Sequence, residues 1–180
     1  MLSLYLIDEY GGCVTAPEDL RTLMETDPLA LDAQVCFAMV AGARSIVSLY
    51  RPVLAELGLT HPQYLVMLAL WEDDRRGTST TVGALAGRLR LDAGTLSPLL
   101  RRLEQAELLA KSRDDDDARV VHVSLTTTGR ALRERARSVP GEVRAASGLS
   151  LEQLMAVHTA ATAVIDAAAR HEGERGEGVR

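Results

Sequence analysis

Two groups of residues in this 180-residue chain have types and spacings that could do chemistry. The first is a single thiol. Cys36 lies in Leu31-Asp32-Ala33-Gln34-Val35-Cys36-Phe37-Ala38-Met39-Val40, a mostly apolar stretch with a helical pattern. A thiolate is a nucleophile and can be oxidised in steps that begin with sulfenic acid. Local sequence does little to activate it. Asp32, four residues earlier, has the wrong sign, and a helix starting at Asp27 puts the sulfur about two turns in, beyond strong help from the helix dipole. On local grounds Cys36 reads as packing between Val35 and Phe37. The other cysteine, Cys13, does not make a disulfide framework with it. The histidines (His61, His122, His158, His171) stand at no ligand spacing from either thiol, so neither a metal nor another cofactor is expected.

The second group is basic and polar. Net charge is −5, yet from Arg75 to Arg113 eight Lys and Arg residues face three acids, and the acidity lies elsewhere. Such a basic middle is the electrostatic footprint of a nucleic-acid partner, although a solvated charged face is the plain alternative. Within it, Leu96, Leu99, Leu100 and Leu103 form one helical stripe, and Gly94, Thr95, Ser97, Arg101, Arg102 and Gln105 lie opposite. Small residues admit close approach to DNA, Ser and Thr bond phosphate or base edges, and Arg grips guanine. Arg119 could enter a narrow minor groove. The run Asp114 to Asp117 opposes phosphate unless it pairs with Arg113 or Arg119.

Helices dominate the elements that must position these groups. Aromatic residues are only 3% of the chain, so Leu, Val and Ala must fill the core. Residues 1–23 read as an irregular or disordered extension, or as a misassigned start ahead of Met24. Asp27 as N-cap with Pro28 at the first helical position opens a helix from Pro28 to Glu56, stopped by Gly58. Thr60 caps a second helix through Trp71, and Asp73 to Gly77 reads as a polar loop. A short helix from Thr80 or Thr81, a tight turn at Arg90-Leu91-Asp92, and the leucine-striped helix follow. Pro98 is tolerable only in a first turn. Period-two strands Leu109–Arg113 and Arg119–Leu125 make a hairpin. An arginine-rich helix after Thr126, interrupted near Pro140-Gly141, and a last helix from Ser150 complete the chain, with a disordered tail from Glu172. Helix, turn, helix, hairpin is a winged helix-turn-helix arrangement. The expected class is therefore mainly α with a small β-hairpin wing. Expected boundaries are 24–58 for the N-terminal dimerisation helix, 59–126 for the winged DNA-binding domain, 127–171 for the C-terminal dimerisation helices and 172–180 for the tail. No apolar run approaches the roughly 20 residues that span a bilayer, which points to a cytoplasmic protein without membrane contact.

Three segments carry a resemblance to a known family: "LDAQVCFAM" (31–39), "LTHPQYLVMLALWE" (59–72) and "LRLDAGTLSPLLRRLEQAELLAKSRDDDDARVVHVSLTTTGRAL" (89–132). In that order they resemble the MarR family, and within it the organic-hydroperoxide-sensing repressors. The resemblance runs from Asp27 to the final helix. It implies a homodimer with interlocked N- and C-terminal helices, two winged domains reading a pseudo-palindromic double-stranded operator, and no enzymatic turnover. By resemblance, Gly94, Thr95, Ser97, Pro98 and Arg101 match the recognition-helix positions. Asp117 and Arg119 match the wing's Asp-x-Arg pair, with Asp117 orienting Arg119 and Asp114 to Asp116 left as a solvated loop. It also recasts Cys36 as a switch: hydroperoxide oxidises it to sulfenic acid, a small external thiol caps it, and DNA is released. Tyr50 matches one of the tyrosines that hydrogen-bond such a sulfur. Two further family tyrosines are replaced here by His61, either a sulfur partner or an exposed helix-start residue, and by Val40. Two other functions compete. One is a regulator that answers a small aromatic or acidic ligand, with Cys36 structural. The other is a thiol-dependent peroxidase-like enzyme, which leaves the DNA-reading pattern unexplained.

Overall fold

The computed structural model describes residues 17–117 and 119–177, so Cys13 lies outside the described residues. In chain order the elements are α1 (Pro17–Thr26), a 3-10 turn (Leu31–Ala33), α2 (Val35–Ala55), α3 (His61–Arg76), β1 (Thr80–Thr81), α4 (Val82–Leu89), α5 (Ala93–Gln105), β2 (Leu109–Arg113), β3 (Val121–Leu125), α6 (Thr127–Ala136), α7 (Val139–Ser147) and α8 (Leu151–Glu177). None of the helices is long and apolar enough to cross a membrane among the described residues. The chain divides into two compact units: residues up to Ile46 together with those from Leu151 onward, and Val47–Ser150.

In the first unit, Ala33 is the one buried residue among those whose side chains are described. Its helices instead expose large apolar side chains: Val35, Phe37, Met39 and Val40 on α2, and Leu151, Met155, Val157, Val164 and Ile165 on α8. The start of α2 departs from expectation. Asp27 does not cap a helix beginning at Pro28; its carboxylate accepts the Leu29 N–H at 3.2 Å, closing a turn. The Gln34 side-chain amide then donates to the Pro28 carbonyl at 2.6 Å and to the Ala30 carbonyl at 3.2 Å. These bonds satisfy loop carbonyls without an α-helix, and α2 begins only at Val35. Residues 17–23, read from sequence as irregular, belong to α1. The final helix continues to Glu177, past the tail boundary expected at Glu172.

The second unit holds the hydrophobic core. Leu54 of α2, Val66, Met67 and Leu70 of α3, Leu85 of α4, and Leu96, Leu100 and Leu103 of α5 meet Val123 and Leu125 of β3. The expected leucine stripe is the buried face of α5, with Leu99 at its edge. The sheet is antiparallel in the order β1-β3-β2, with Thr81 opposite His122 and Ser112 also opposite His122. The hairpin is thus extended by a two-residue strand, β1, that the sequence pattern does not announce, because two residues have no period.

Local signals explain most helix ends. Gln63 Oε1 accepts from both the backbone N–H and the hydroxyl of Thr60, each at 2.8 Å, starting α3. α3 runs on to Arg76 through the expected loop Asp73 to Gly77, held by Arg76–Glu72, and stops where Gly77 turns left-handed at φ 66°. Thr81 caps α4, its hydroxyl accepting the Ala84 N–H at 3.2 Å. Pro98 is not in the first turn of α5; it is the sixth helical residue, where its missing donor falls opposite the Gly94 carbonyl. Pro140 sits in the first turn of α7, so the interruption after α6 falls just before it.

α6 is locked to the base of the hairpin. The Thr126 hydroxyl donates to the Glu107 carbonyl at 2.6 Å and the Trp71 indole N–H to the Gly129 carbonyl at 2.8 Å. A Cβ on Gly129 would stand 1.9 Å from the Leu108 carbonyl oxygen. Only glycine allows this approach of helix to backbone.

Candidate functional site

The basic group predicted from sequence divides: Arg76 and Arg88 pair with Glu72 and Asp73, and Lys111 with Glu104, while Arg101 and Arg102 are exposed on α5. α5 buries its leucines and leaves Gly94, Thr95, Ser97, Pro98 and Arg101 exposed. Asp92 caps this helix: Oδ1 accepts the Thr95 N–H at 2.7 Å and Oδ2 accepts the Thr95 hydroxyl at 2.8 Å. Those two bonds, the hydroxyl's first, hold the Asp92 carboxyl below the usual carboxylate range. Sequence reading passed over Asp92 as part of a tight turn. The signal was present, since an Asp three residues before a Thr at a helix start is an N-cap pattern.

Across from α5 stands the wing. Ser97 and Leu100 of α5, Thr81 and Val82 at the start of α4, Lys111 of β2, and Arg119 to Val121 line a shared cavity of about 450 Å³. Arg119 is not in a strand, since β3 starts at Val121; it occupies the turn before it. Its side chain is 91% exposed and is held at the wing by Asp117. Asp117 Oδ1 accepts from Arg119 Nε and from its backbone N–H, both at 3.0 Å, and Oδ2 accepts the second guanidinium nitrogen at 3.1 Å. The guanidinium keeps the Asp117 carboxyl low, and Asp117 in turn raises Arg119. The expected Asp117–Arg119 pair is therefore geometrically present.

Asp114 departs from the expected solvated loop. Its Oδ1 accepts the N–H groups of Asp116 and Asp117 at 3.0 and 3.1 Å, and its Oδ2 lies 2.8 Å from His122 Nε2. His122 Nδ1 is 3.0 Å from the Ser79 hydroxyl. The His122 hydrogen bond, then the two backbone donors, lower the Asp114 carboxyl. Asp114 pairs with His122 rather than with Arg113, while Asp115 and Asp116 face solvent. One carboxylate of the acidic run thus shapes the loop, another aims the arginine, and two remain at the tip.

The thiol residues fall in different units. Cys36 is exposed on α2 and, because α2 starts at Val35, lies in its first turn and not two turns in. Backbone N–H groups there have no intrahelical acceptor. Within the single chain Cys36 is not part of the hydrophobic core. Tyr50 and His61 are brought together within the other unit, their rings 5.1 Å apart and edge-on, with Tyr64 5.9 Å from Tyr50 and Trp71 6.3 Å from Tyr64. Burial pushes the His61 imidazole below its ordinary value, which favours its neutral form. Val40 is exposed.

A family model for the transcriptional regulator SarA/Rot matches residues 48–135. The organic hydroperoxide resistance transcriptional regulator of Bacillus subtilis is 39% identical over 134 residues, covering 74% of this chain and 88% of that protein. The structure of reduced AbfR of Staphylococcus epidermidis bound to DNA matches with a TM-score of 0.63 and 28% identity, over 79% of this chain and 97% of the other. BpsR of Bordetella bronchiseptica, whose DNA binding is regulated by 6-hydroxynicotinic acid, matches with a TM-score of 0.63 and 25% identity, over 73% of this chain and 98% of its own.

Proposed function

Because the chain belongs to the MarR family of winged-helix, DNA-binding transcriptional regulators, we propose that it is a homodimeric cytoplasmic repressor that senses organic hydroperoxide through Cys36 and then leaves its operator. The observation that carries the sensing role is an exposed thiol in the first turn of α2 in a chain 39% identical to a hydroperoxide-resistance regulator. The thiolate attacks one oxygen of the hydroperoxide. The O–O bond breaks, an alcohol leaves with a proton from solvent, and Cys36 becomes a sulfenic acid. A small thiol then displaces water from that sulfur and forms a mixed disulfide.

The first unit supports the dimer. Two long helices with large exposed apolar side chains and almost no core of their own suit burial against a second copy. Tyr50 and His61, whose rings lie 5.1 Å apart, are the hydrogen-bonding pair we assign to the sulfur of Cys36. Each protomer's α5 enters a major groove through Gly94, Thr95, Ser97, Pro98 and Arg101. Arg119, aimed by Asp117, reaches the adjacent minor groove of a pseudo-palindromic site.

A ligand-responsive regulator is the second reading. It is favoured by a cavity of about 610 Å³ with Tyr64, Leu65, Leu68 and Leu89 on its apolar wall and Arg75, Arg133 and Arg137 around it, a lining suited to an aromatic acid. An operator gel shift with an organic hydroperoxide, on wild type and Cys36→Ser, tests the proposal. The expected outcome is release of wild type and retention of the variant. Release of both would transfer the response away from Cys36. Retention of both, with Cys36 demonstrably oxidised, would leave the ligand-responsive reading.

A further inference from the structure

The hydroxyl of Thr95 has one proton and two lone pairs, and the fold decides where that proton goes. An ionised carboxylate can only accept, so the 2.8 Å bond from Thr95 Oγ1 to Asp92 Oδ2 takes the proton inward. The companion bond from the Thr95 N–H to Oδ1, at 2.7 Å, fixes the carboxylate in a fork that holds both groups of Thr95. Gly94 leaves room for the fork, because a Cβ there would sit 3.0 Å from Asp92 Oδ1. Asp92 stays ionised, its carboxyl held low by the Thr95 hydroxyl and N–H. What Thr95 presents outward, from the exposed third position of α5, is therefore lone pairs and a methyl group. Ser97, two residues further along α5 and also exposed, makes no side-chain hydrogen bond among the described residues and keeps its proton to donate.

Resting on the reading of α5 as the groove-entering helix, we infer that Asp92 is a positioning residue that holds Thr95 as a hydrogen-bond acceptor and so selects an amino-bearing base, adenine or cytosine, at one position of each half-site. In the major groove adenine N6 and cytosine N4 are donors, whereas guanine O6 and N7 and thymine O4 are acceptors. Phosphate oxygens also only accept. An acceptor-only Thr95 is thus excluded from phosphate contacts and meets a donor only on those two bases. Asp92 acts through Thr95 without touching the base.

Changing Asp92 to Asn reverses this polarity while keeping the cap, since Asn and Asp are comparable N-caps. The Asn oxygen accepts the Thr95 N–H, the Asn amide donates to Thr95 Oγ1, and the hydroxyl proton turns outward. The experiment selects sites from a randomised double-stranded DNA pool with the full-length chain as wild type, Asp92→Asn, Thr95→Val and Arg101→Ala, each checked for native helicity by circular dichroism. The expected result is a single position per half-site that prefers adenine or cytosine in wild type and guanine or thymine in Asp92→Asn. The ratio between the two preferences should change by roughly three- to tenfold, the worth of one hydrogen bond. Thr95→Val should lose the preference at that position alone. A folded Asp92→Asn chain that selects the same bases as wild type at every position overturns the inference, as does Thr95→Val with an unaltered consensus. If Arg101→Ala and Thr95→Val both select and bind as wild type does, the reading of α5 itself fails, a result distinct from an unshifted Asp92→Asn beside a weakened Arg101→Ala.

Discussion

Replacing Gly129 with Ala sets two opposing effects against each other, and the structure says which wins. Alanine inside a helix is favoured over glycine by up to about 1 kcal/mol. Yet the new methyl carbon would lie 1.9 Å from the Leu108 carbonyl oxygen, 2.9 Å from its carbon and 3.3 Å from Leu125 Cδ2. The nearest obstacle is backbone, which cannot rotate away, so α6 must retreat by about 1.5 Å to reach an ordinary contact. Overpacking of this kind costs about 1–3 kcal/mol. Retreat also stretches the Trp71–Gly129 and Thr126–Glu107 hydrogen bonds, worth about 1 kcal/mol each. The net expectation is a loss of about 2–4 kcal/mol. Urea unfolding followed by tryptophan fluorescence measures it, because Trp71 is the single tryptophan and its indole is bonded at the site of change. A midpoint equal to or above that of wild type, with unaltered emission, would refute the steric argument. Since α6 braces the hairpin, the variant should also bind operator more weakly.

Other perturbations separate the wing, the core and the aromatic cluster. Arg119→Ala should leave the unfolding midpoint unchanged, as the side chain is 91% exposed, but flatten the salt dependence of operator binding. The slope of log K against log salt should fall by about 0.9 per wing, and an unaltered slope would remove Arg119 from the interface. Leu100→Ala, at a position 2% exposed between α5 and the sheet, should cost about 2–5 kcal/mol in denaturant unfolding, and a cost below 1 kcal/mol would deny it a place in the core. His61 is depressed by burial, so folding favours its neutral form. As pH falls through about 6.5, the unfolded chain binds the proton first and stability drops, levelling only when the folded imidazole is protonated too. His61→Gln should flatten that decline in urea midpoints between about pH 7 and 5. A decline as steep as in wild type would assign it to other groups.

Helix α5 was legible in sequence because its leucines repeat at helical spacing and its polar residues fall between them. The hairpin strands were legible for the same reason at period two. The start of α2 was misread. Asp27-Pro28 is a strong helix-start pattern, but the Gln34 side chain satisfies the carbonyls of Pro28 and Ala30 from six and four residues away. Side-chain competition of that kind leaves no periodic trace. The consequence reaches function, because it moves Cys36 from the third turn of a helix to the first. The acidic wing was also read too simply. Four adjacent aspartates look alike in sequence, and only their neighbours distinguish Asp114, facing His122, from Asp117, gripping Arg119.

The sequence by itself determined the order and type of the main helices, the wing, the exposed side of α5, and the family. These follow from periodicity, caps and ordered motifs, all properties of residues near one another in the chain. The tertiary structure alone decided that β1 joins β3, that Gly129 must lack a side chain, that Tyr50 meets His61, and that burial lowers the His61 imidazole. Each of these depends on which surfaces meet after the chain closes long loops. Burial and close approach belong to such meetings, and no local pattern encodes them.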